Sequence, residues 1–282
     1  FSANLDAKEH SSQTETISNH VTLINPTNEL QQVIDKANDG ATLQLTKGLY
    51  KGNLLINKPL TITCESGVDL DGNNTKDTIR ITAPNVTIDG CNILNWGDDL
   101  TAMDAGIIVK KSADNAVIKN NYFKGVTFGV FLDSATNSKI HSNRIEGTLD
   151  VRSQDRGNGI HLYGSTGVDV AFNEVWHTRD GIYIDTSHKN SLRDNEFHHL
   201  RYGVHYMYSY SNLVENNYTH HTRTGYALMQ SKYLEVINNR SEWNENYGIL
   251  LNFITDSTIK NNLVSNTRQG SNYVGDSSAQ GA

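Results

Sequence analysis

The stretch RDGIYIDTSHKNSLRDNEFHHLRYGVHYMYSYSNLVENN, residues 179–217, is one pattern written twice. Gly181 opens GIYI and Gly203 opens GVHY, 22 residues later. Asn195 and Asn217 follow their glycines by 14 residues, and Leu192 and Val214 by 11. Outward from this stretch, glycine followed by an apolar strand recurs at Gly106, Gly129, Gly159, Gly225 and Gly248. The seven glycines are spaced 23, 30, 22, 22, 22 and 23 residues apart. Counting from each glycine predicts an asparagine column at Asn120, Asn143, Asn173, Asn195, Asn217, Asn239 and Asn262. It predicts an aliphatic column at Val117, Ile140, Val170, Leu192, Val214, Val236 and Ile259. A fixed period of this length marks a solenoid. No half of the unit has helical periodicity and the leucine-rich signature is absent. Each unit therefore reads as strand, turn, strand, Asn turn, strand, which is one coil of a β-helix. The expected fold is all-β, a right-handed parallel β-helix of ~22-residue coils, the hand following from parallel strands joined by crossovers. Stacked asparagines can donate and accept amide hydrogen bonds from coil to coil.

The rest of the chain fits around these coils. Within NPTNELQQVIDKANDG, Thr27 or Asn28 reads as a helix N-cap, Leu30, Val33, Ile34 and Ala37 as an apolar face, and Gly40 as a stop. A short helix there would cap the open end of the solenoid. The expected organisation is a polar leader over 1–27 and a β-helix domain over 28–270, followed by an irregular or truncated end over 271–282. Within the domain the helix cap lies at about 28–38 and the regular coils at 106–270. The 30-residue coil carries extra residues within EGTLDVRSQDRGN, expected as a loop beside His161. A net charge of −7 argues against bulk attraction to nucleic acid or anionic membranes. No apolar run is long enough to span a bilayer. Cys64 and Cys91 read as buried thiols, a disulfide or thiolate ligands; their apolar flanks favour buried thiols.

Alternation along a strand turns positions +1 and +3 after each glycine inward, as with Ile182 and Ile184, Val204 and Tyr206, or Ile249 and Leu251. Positions +2 and +4 then face out, as columns His161, Tyr183, His205, Ala227 and Tyr163, Asp185, Met207, Met229, Asn252. Met207 and Met229 should sit side by side, with His205 two residues from Met207. Two of the chain's three methionines on one outer face are either packing or a soft-metal site. Thioether with imidazole suits Cu(I) better than Zn²⁺, Mg²⁺ or Ca²⁺. A second column holds His177, His199 and His221, doubled by His198 and His220. Beside it runs Arg179, Arg201 and Arg223, which needs Asp180, Glu196 or an anionic ligand or partner for neutralisation. The two readings of these ladders are a solvated, salt-bridged face and a route for copper through the histidines with anion binding at the arginines.

The stretch 179–217, with GYALMQSKYLEVINN and YGILLNFITDSTIKNN after it, resembles the NosD family of periplasmic nitrous-oxide reductase maturation proteins. VHYMY at 204–208 is the most specific string, and ATLQLTKGLYKGNLLINKPLTI is similar to that family's opening. The resemblance implies a non-enzymatic, periplasmic component of an ABC-transporter-like complex, with an ATPase and a membrane permease as partners. It implies receipt of Cu(I) from a lipoprotein copper chaperone and its transfer for assembly of the copper sites of nitrous-oxide reductase, in denitrification. The column pattern makes His205, Met207 and Met229 the expected copper ligands, with His161, His177, His199 and His221 behind them. A second function class is a polysaccharide lyase, epimerase, hydrolase or glycan-binding module, with His161, His205, Tyr183 and Arg201 in acid, base and neutralising parts. The GDD at 97–99 could supply paired acids but reads better as a turn. A third is a pure docking scaffold, since aromatic residues, methionine and arginine are enriched in interface cores.

Overall fold

The computed structural model describes residues 21–268, and the expectations for residues 1–20 and 269–282 lie outside them. Every strand pairing is parallel, and three sheets of 11, 9 and 10 strands run the length of a right-handed solenoid. Each full coil gives one strand to each sheet. The 22-residue period becomes a register without offset: Ile182 pairs with Val204, Tyr183 with His205 and Ile184 with Tyr206. The glycine column exists because successive coils approach closely at that corner. A Cβ on Gly203 would stand 2.6 Å from Thr219 Cγ2 and 2.7 Å from the Gly225 carbonyl oxygen. Inside, the +1 and +3 side chains form one continuous apolar core, with Ile182, Ile184, Val204, Tyr206, Tyr226 and Leu228 fully buried. Leu251 keeps the same column but is 51% exposed, because no described strand stacks beyond Tyr247–Asn252.

The asparagine ladder forms with one correction. Its first rung is Asn121, whose amide donates to Asn143 Oδ1 at 3.1 Å, and the matching core residue is Ile118 rather than Val117. The extra residue of that 23-residue coil lies ahead of the asparagine turn, so counting from Gly106 lands one short. Asn195 is representative. Its side-chain amide donates to Asn217 Oδ1 at 2.9 Å and to the Val170 carbonyl at 2.9 Å, and its backbone N–H donates to Asn217 Oδ1 at 3.1 Å. The residue before each rung is left-handed, as at Asn120, Asn216, Asn238 and Asn261, all at φ 56°. The recurrent Asn-Asn is thus a turn residue followed by a ladder residue, and asparagine tolerates the left-handed region better than most residues.

At the N-terminal end the helix is Leu30–Lys36, with Glu29 at the N-cap instead of Thr27 or Asn28. The Asn28 side chain accepts from the backbone N–H of Asn25 instead. Leu30 and Ile34 enter the core, while Gln31 both accepts from the Leu55 N–H and donates to its carbonyl. That contact covers the unpaired edge of the first strand of the nine-stranded sheet, Leu54–Ile56. Val21–Ile24, within the stretch expected as a leader, is a strand paired with Ala41–Leu45. Cys64 and Cys91 form a disulfide between adjacent coils, with Cα atoms 5.0 Å apart, so the buried-thiol reading is corrected. Among the described residues no helix is long and apolar enough to cross a membrane.

Candidate metal-binding face

The outer face of the nine-stranded sheet carries the two columns read from the sequence. Register aligns Phe131, His161, Tyr183, His205, Ala227 and Leu250 on successive coils. Their rings touch in series: Phe131 to His161 at 4.6 Å and His161 to Tyr183 at 4.8 Å, both tilted, and Tyr183 stacked on His205 at 4.4 Å. The expectation that this column faces solvent is corrected, because His161 and His205 are each only 8% exposed. They point away from the solenoid core, yet ring contacts along the ladder, with Phe128 also against His161, cover them. Phe128, Phe131, Ile108 and Ala105 add a second apolar cluster outside the main core. Strand alternation decides which side a residue takes, not whether that side is covered.

Two histidines on this ladder differ in what orients them. The His205 Nδ1 lies 2.9 Å from Asp180 Oδ2, so the ring donates there and leaves the Nε2 lone pair without a partner among the described residues. An imidazole held by a carboxylate through its other nitrogen is the usual arrangement behind a metal-ligating histidine. The same buried carboxylate receives the Arg201 guanidinium in two bonds, at 2.8 and 2.7 Å. Burial pushes the Asp180 carboxyl upward, but the bonds from Arg201 and His205 outweigh it and hold the carboxyl below its ordinary range. His161 has no such partner. Burial pushes it down to about 3, and its Nε2 is enclosed without a hydrogen bond. Its Nδ1 lies 3.4 Å from the Asn158 amide, on the inserted loop of the 30-residue coil, which includes a 3₁₀ turn over Ser153–Asp155.

In the neighbouring column Tyr163 pairs with Asp185 and Asp185 with Met207. Met207 and Met229 close the strands Tyr202–Met207 and Thr224–Met229, one residue past the Tyr206–Leu228 pair, and both are half-buried. The two thioethers therefore belong to strands about 4.8 Å apart, with His205 about 6.6 Å along one of them. Thioether arms with three rotatable bonds can span such gaps.

The histidine column occupies another corner, where His177, His199 and His221 have φ of 58°, 54° and 51°. These rings meet coil on coil, His177 edge-on to His199 at 5.7 Å and His199 stacked on His221 at 5.3 Å. Their neighbours complete a denser cluster. Nδ1 of His198 lies 2.8 Å from Nδ1 of His199, and the same spacing joins His220 to His221. His220 Nε2 meets Glu196 at 3.0 Å. Glu196, His198 and His220 bring one donor atom each within 4.8 Å of one another, an imidazole–carboxylate set of the kind that suits borderline divalent ions. Burial lowers His177, His198 and His199, which favours the neutral, ligating form. Sequence reasoning put the outer three histidines forward and missed His198, His220 and Glu196 as a set. The usable signal was the His-His pair repeated at 198–199 and 220–221. The GDD at 97–99 leads into a turn over 100–103, with Asp99 accepting from the N–H groups of Thr101 and Ala102.

Residues 141–278 match a family described as "Periplasmic copper-binding protein (NosD)", and residues 53–175 match a right-handed β-helix region. A probable ABC transporter binding protein NosD of Pseudomonas aeruginosa is 52% identical over 247 residues, 88% of this chain and 57% of that protein. A protein of the same description from Stutzerimonas stutzeri is 48% identical over 80% of this chain and 52% of its own length. The chain thus spans between half and three-fifths of these curated relatives. Among solved structures, a polygalacturonase from Erwinia carotovora ssp. carotovora matches with TM-score 0.70 at 14% identity, covering 89% of this chain and 95% of that one. The Dettilon tailspike protein matches with TM-score 0.63 at 18% identity, covering 86% of this chain and 62% of that one. Likeness at such identity is one of fold alone.

Proposed function

Because the chain belongs to the NosD family, we propose that it is a periplasmic copper-binding accessory protein that receives and hands on Cu(I) for assembly of the copper sites of nitrous-oxide reductase. The observation that carries the proposal is the outer face of the nine-stranded sheet. Two thioethers, Met207 and Met229, end neighbouring strands, and His205 stands two residues from Met207 with its other nitrogen held by Asp180. Soft thioether and imidazole donors favour Cu(I). Two half-buried thioethers on swinging arms beside a covered imidazole suit exchange with a docked partner. The expected partners are a lipoprotein copper chaperone as donor, nitrous-oxide reductase as recipient, and the ATPase and permease of an ABC-transporter-like complex. Transfer would proceed by stepwise exchange of one protein's copper–ligand bonds for the other's, with no covalent bond within either protein changed. The relatives' description as binding proteins accords with this role, and the polygalacturonase likeness concerns the fold.

The test is a Cu(I) titration against a chromophoric chelator, on the native chain and on Met207→Ala/Met229→Ala. At least tenfold weaker Cu(I) binding is expected in the double variant, with an unchanged far-ultraviolet spectrum. Unchanged affinity would remove this face as the copper site. His198→Gln/His220→Gln should leave that affinity in place, since these residues stand on a different corner.

A further inference from the structure

We infer that the arginine corner is a binding cleft for a small multivalent oxyanion, one bearing phosphate or several carboxylates. Arg156, Arg179, Arg201 and Arg223 line one cleft of about 500 Å³. They come from four successive coils: the Arg179 N–H donates to the Gly157 carbonyl, that of Arg201 to Arg179, and that of Arg223 to Leu200. Parallel coils repeat at about 4.8 Å, so four guanidinium groups are strung along a single corner. Like charges at that pitch repel unless something neutralises them.

The protein neutralises only one of the four. Arg201 is committed to Asp180 in two bonds. Arg156 is held by the backbone carbonyls of Val151 and His177, which fix its position without cancelling its charge. Arg179 and Arg223 make no ion pair among the described residues, and Arg179 Nε is enclosed with no hydrogen-bond partner at all. Buried polar groups are nearly always hydrogen-bonded, so an enclosed, unpaired nitrogen on a cleft-lining guanidinium points to a missing acceptor. Glu245 is the only carboxylate of the lining and forms no ion pair among the described residues. The inserted loop of the 30-residue coil supplies Arg156, Ser153 and Gln154, closing one wall with further donors. Planar guanidinium forks match the paired oxygens of phosphate and carboxylate. The cleft meets the methionine face through Asp180, which Arg201 shares with His205. Arg179 and Arg223 make no ion pair with Asp180 among the described residues, so substitutions there test anion binding separately from copper binding.

The experiment is isothermal titration of the full chain with pyrophosphate and with citrate at fixed ionic strength, using chloride as the control. Saturable binding of at least one oxyanion is expected, weakened tenfold or more in Arg179→Ala/Arg223→Ala. Arg223→Glu, at an exposed position with no side-chain partner, gives the same answer should the double variant fail to fold. Arg144→Ala, which removes a guanidinium paired with Glu174 outside the cleft, should leave binding intact. Absence of saturable binding by either anion overturns the inference. Equal affinity in the cleft variants, or equal loss in Arg144→Ala, overturns it too.

Discussion

At the scale of single residues, this β-helix rests on side chains that do backbone work. Asn195 occupies donors and acceptors on three coils, and an alanine there strands the Asn173 N–H and removes the Oδ1 that receives it. Each buried group left unpaired costs roughly 1–3 kcal/mol, so Asn195→Ala should lower the unfolding free energy by about 3 kcal/mol in a denaturant titration. The same substitution at Asn120, which makes no ladder bond, should cost only about 1–2 kcal/mol through its left-handed φ of 56°. His161 sets a pH dependence. Its folded value of about 3 lies below the ordinary 6.5, so the unfolded chain binds more protons between those limits and stability falls as pH drops. Metal-free protein should lose about 2 kcal/mol from this histidine on going from pH 7 to about pH 5. Unfolding curves of His161→Gln should lack that part of the acid slope. The column of His161 and His205 was legible in the spacing, but its burial was not. Covering depends on rings contributed by other coils and on a loop whose path no periodicity encodes.

At the scale of elements, the repeat made strands and turns legible because one register serves every coil. Boundaries failed where the period slipped, as at the 23-residue coil that displaced Asn120 from the ladder in favour of Asn121. The disulfide, one of three readings open for the cysteines, was not singled out for a related reason. Cys64 ends the strand Leu60–Cys64, whereas Cys91 lies in the turn before Asn92–Leu94, so no column count aligns them. Their bond clips two early coils with a sequence separation of 27. In the chain-entropy picture a loop of that length is worth about 3.5 kcal/mol. Reduction should therefore lower the thermal midpoint, and Cys64→Ala/Cys91→Ala should reproduce the shift without reductant. Should reduced and oxidised protein melt alike, the early coils draw their stability from the capping helix and core instead. The histidine pairs show the limit of element reading: a left-handed corner accounts for His199 and His221, but nothing in a turn requires His198 and His220 behind them.

At the scale of the whole molecule, the three sheets make a rod in which each coil touches only its neighbours, so stability is close to a sum over coils and their interfaces. Within the NosD family this gives a long frame on which one face carries thioethers, while the arginines share a corner with His199 and His221. The stacking without offset has a further consequence. Residues 181–202 comprise 22 positions, and their excision would join Asp180 to Gly203 with Asn173 beneath Asn217 and Ile160 beneath Val204. Every ladder would close again, while Arg179 would stand next to Arg223 and His161 next to His205. Distance between surface features is thus quantised in whole coils, and duplication or loss of one coil resets it without redesigning an interface. A lineage could tune the reach between two docked proteins by counting coils, leaving the chemistry at each corner untouched.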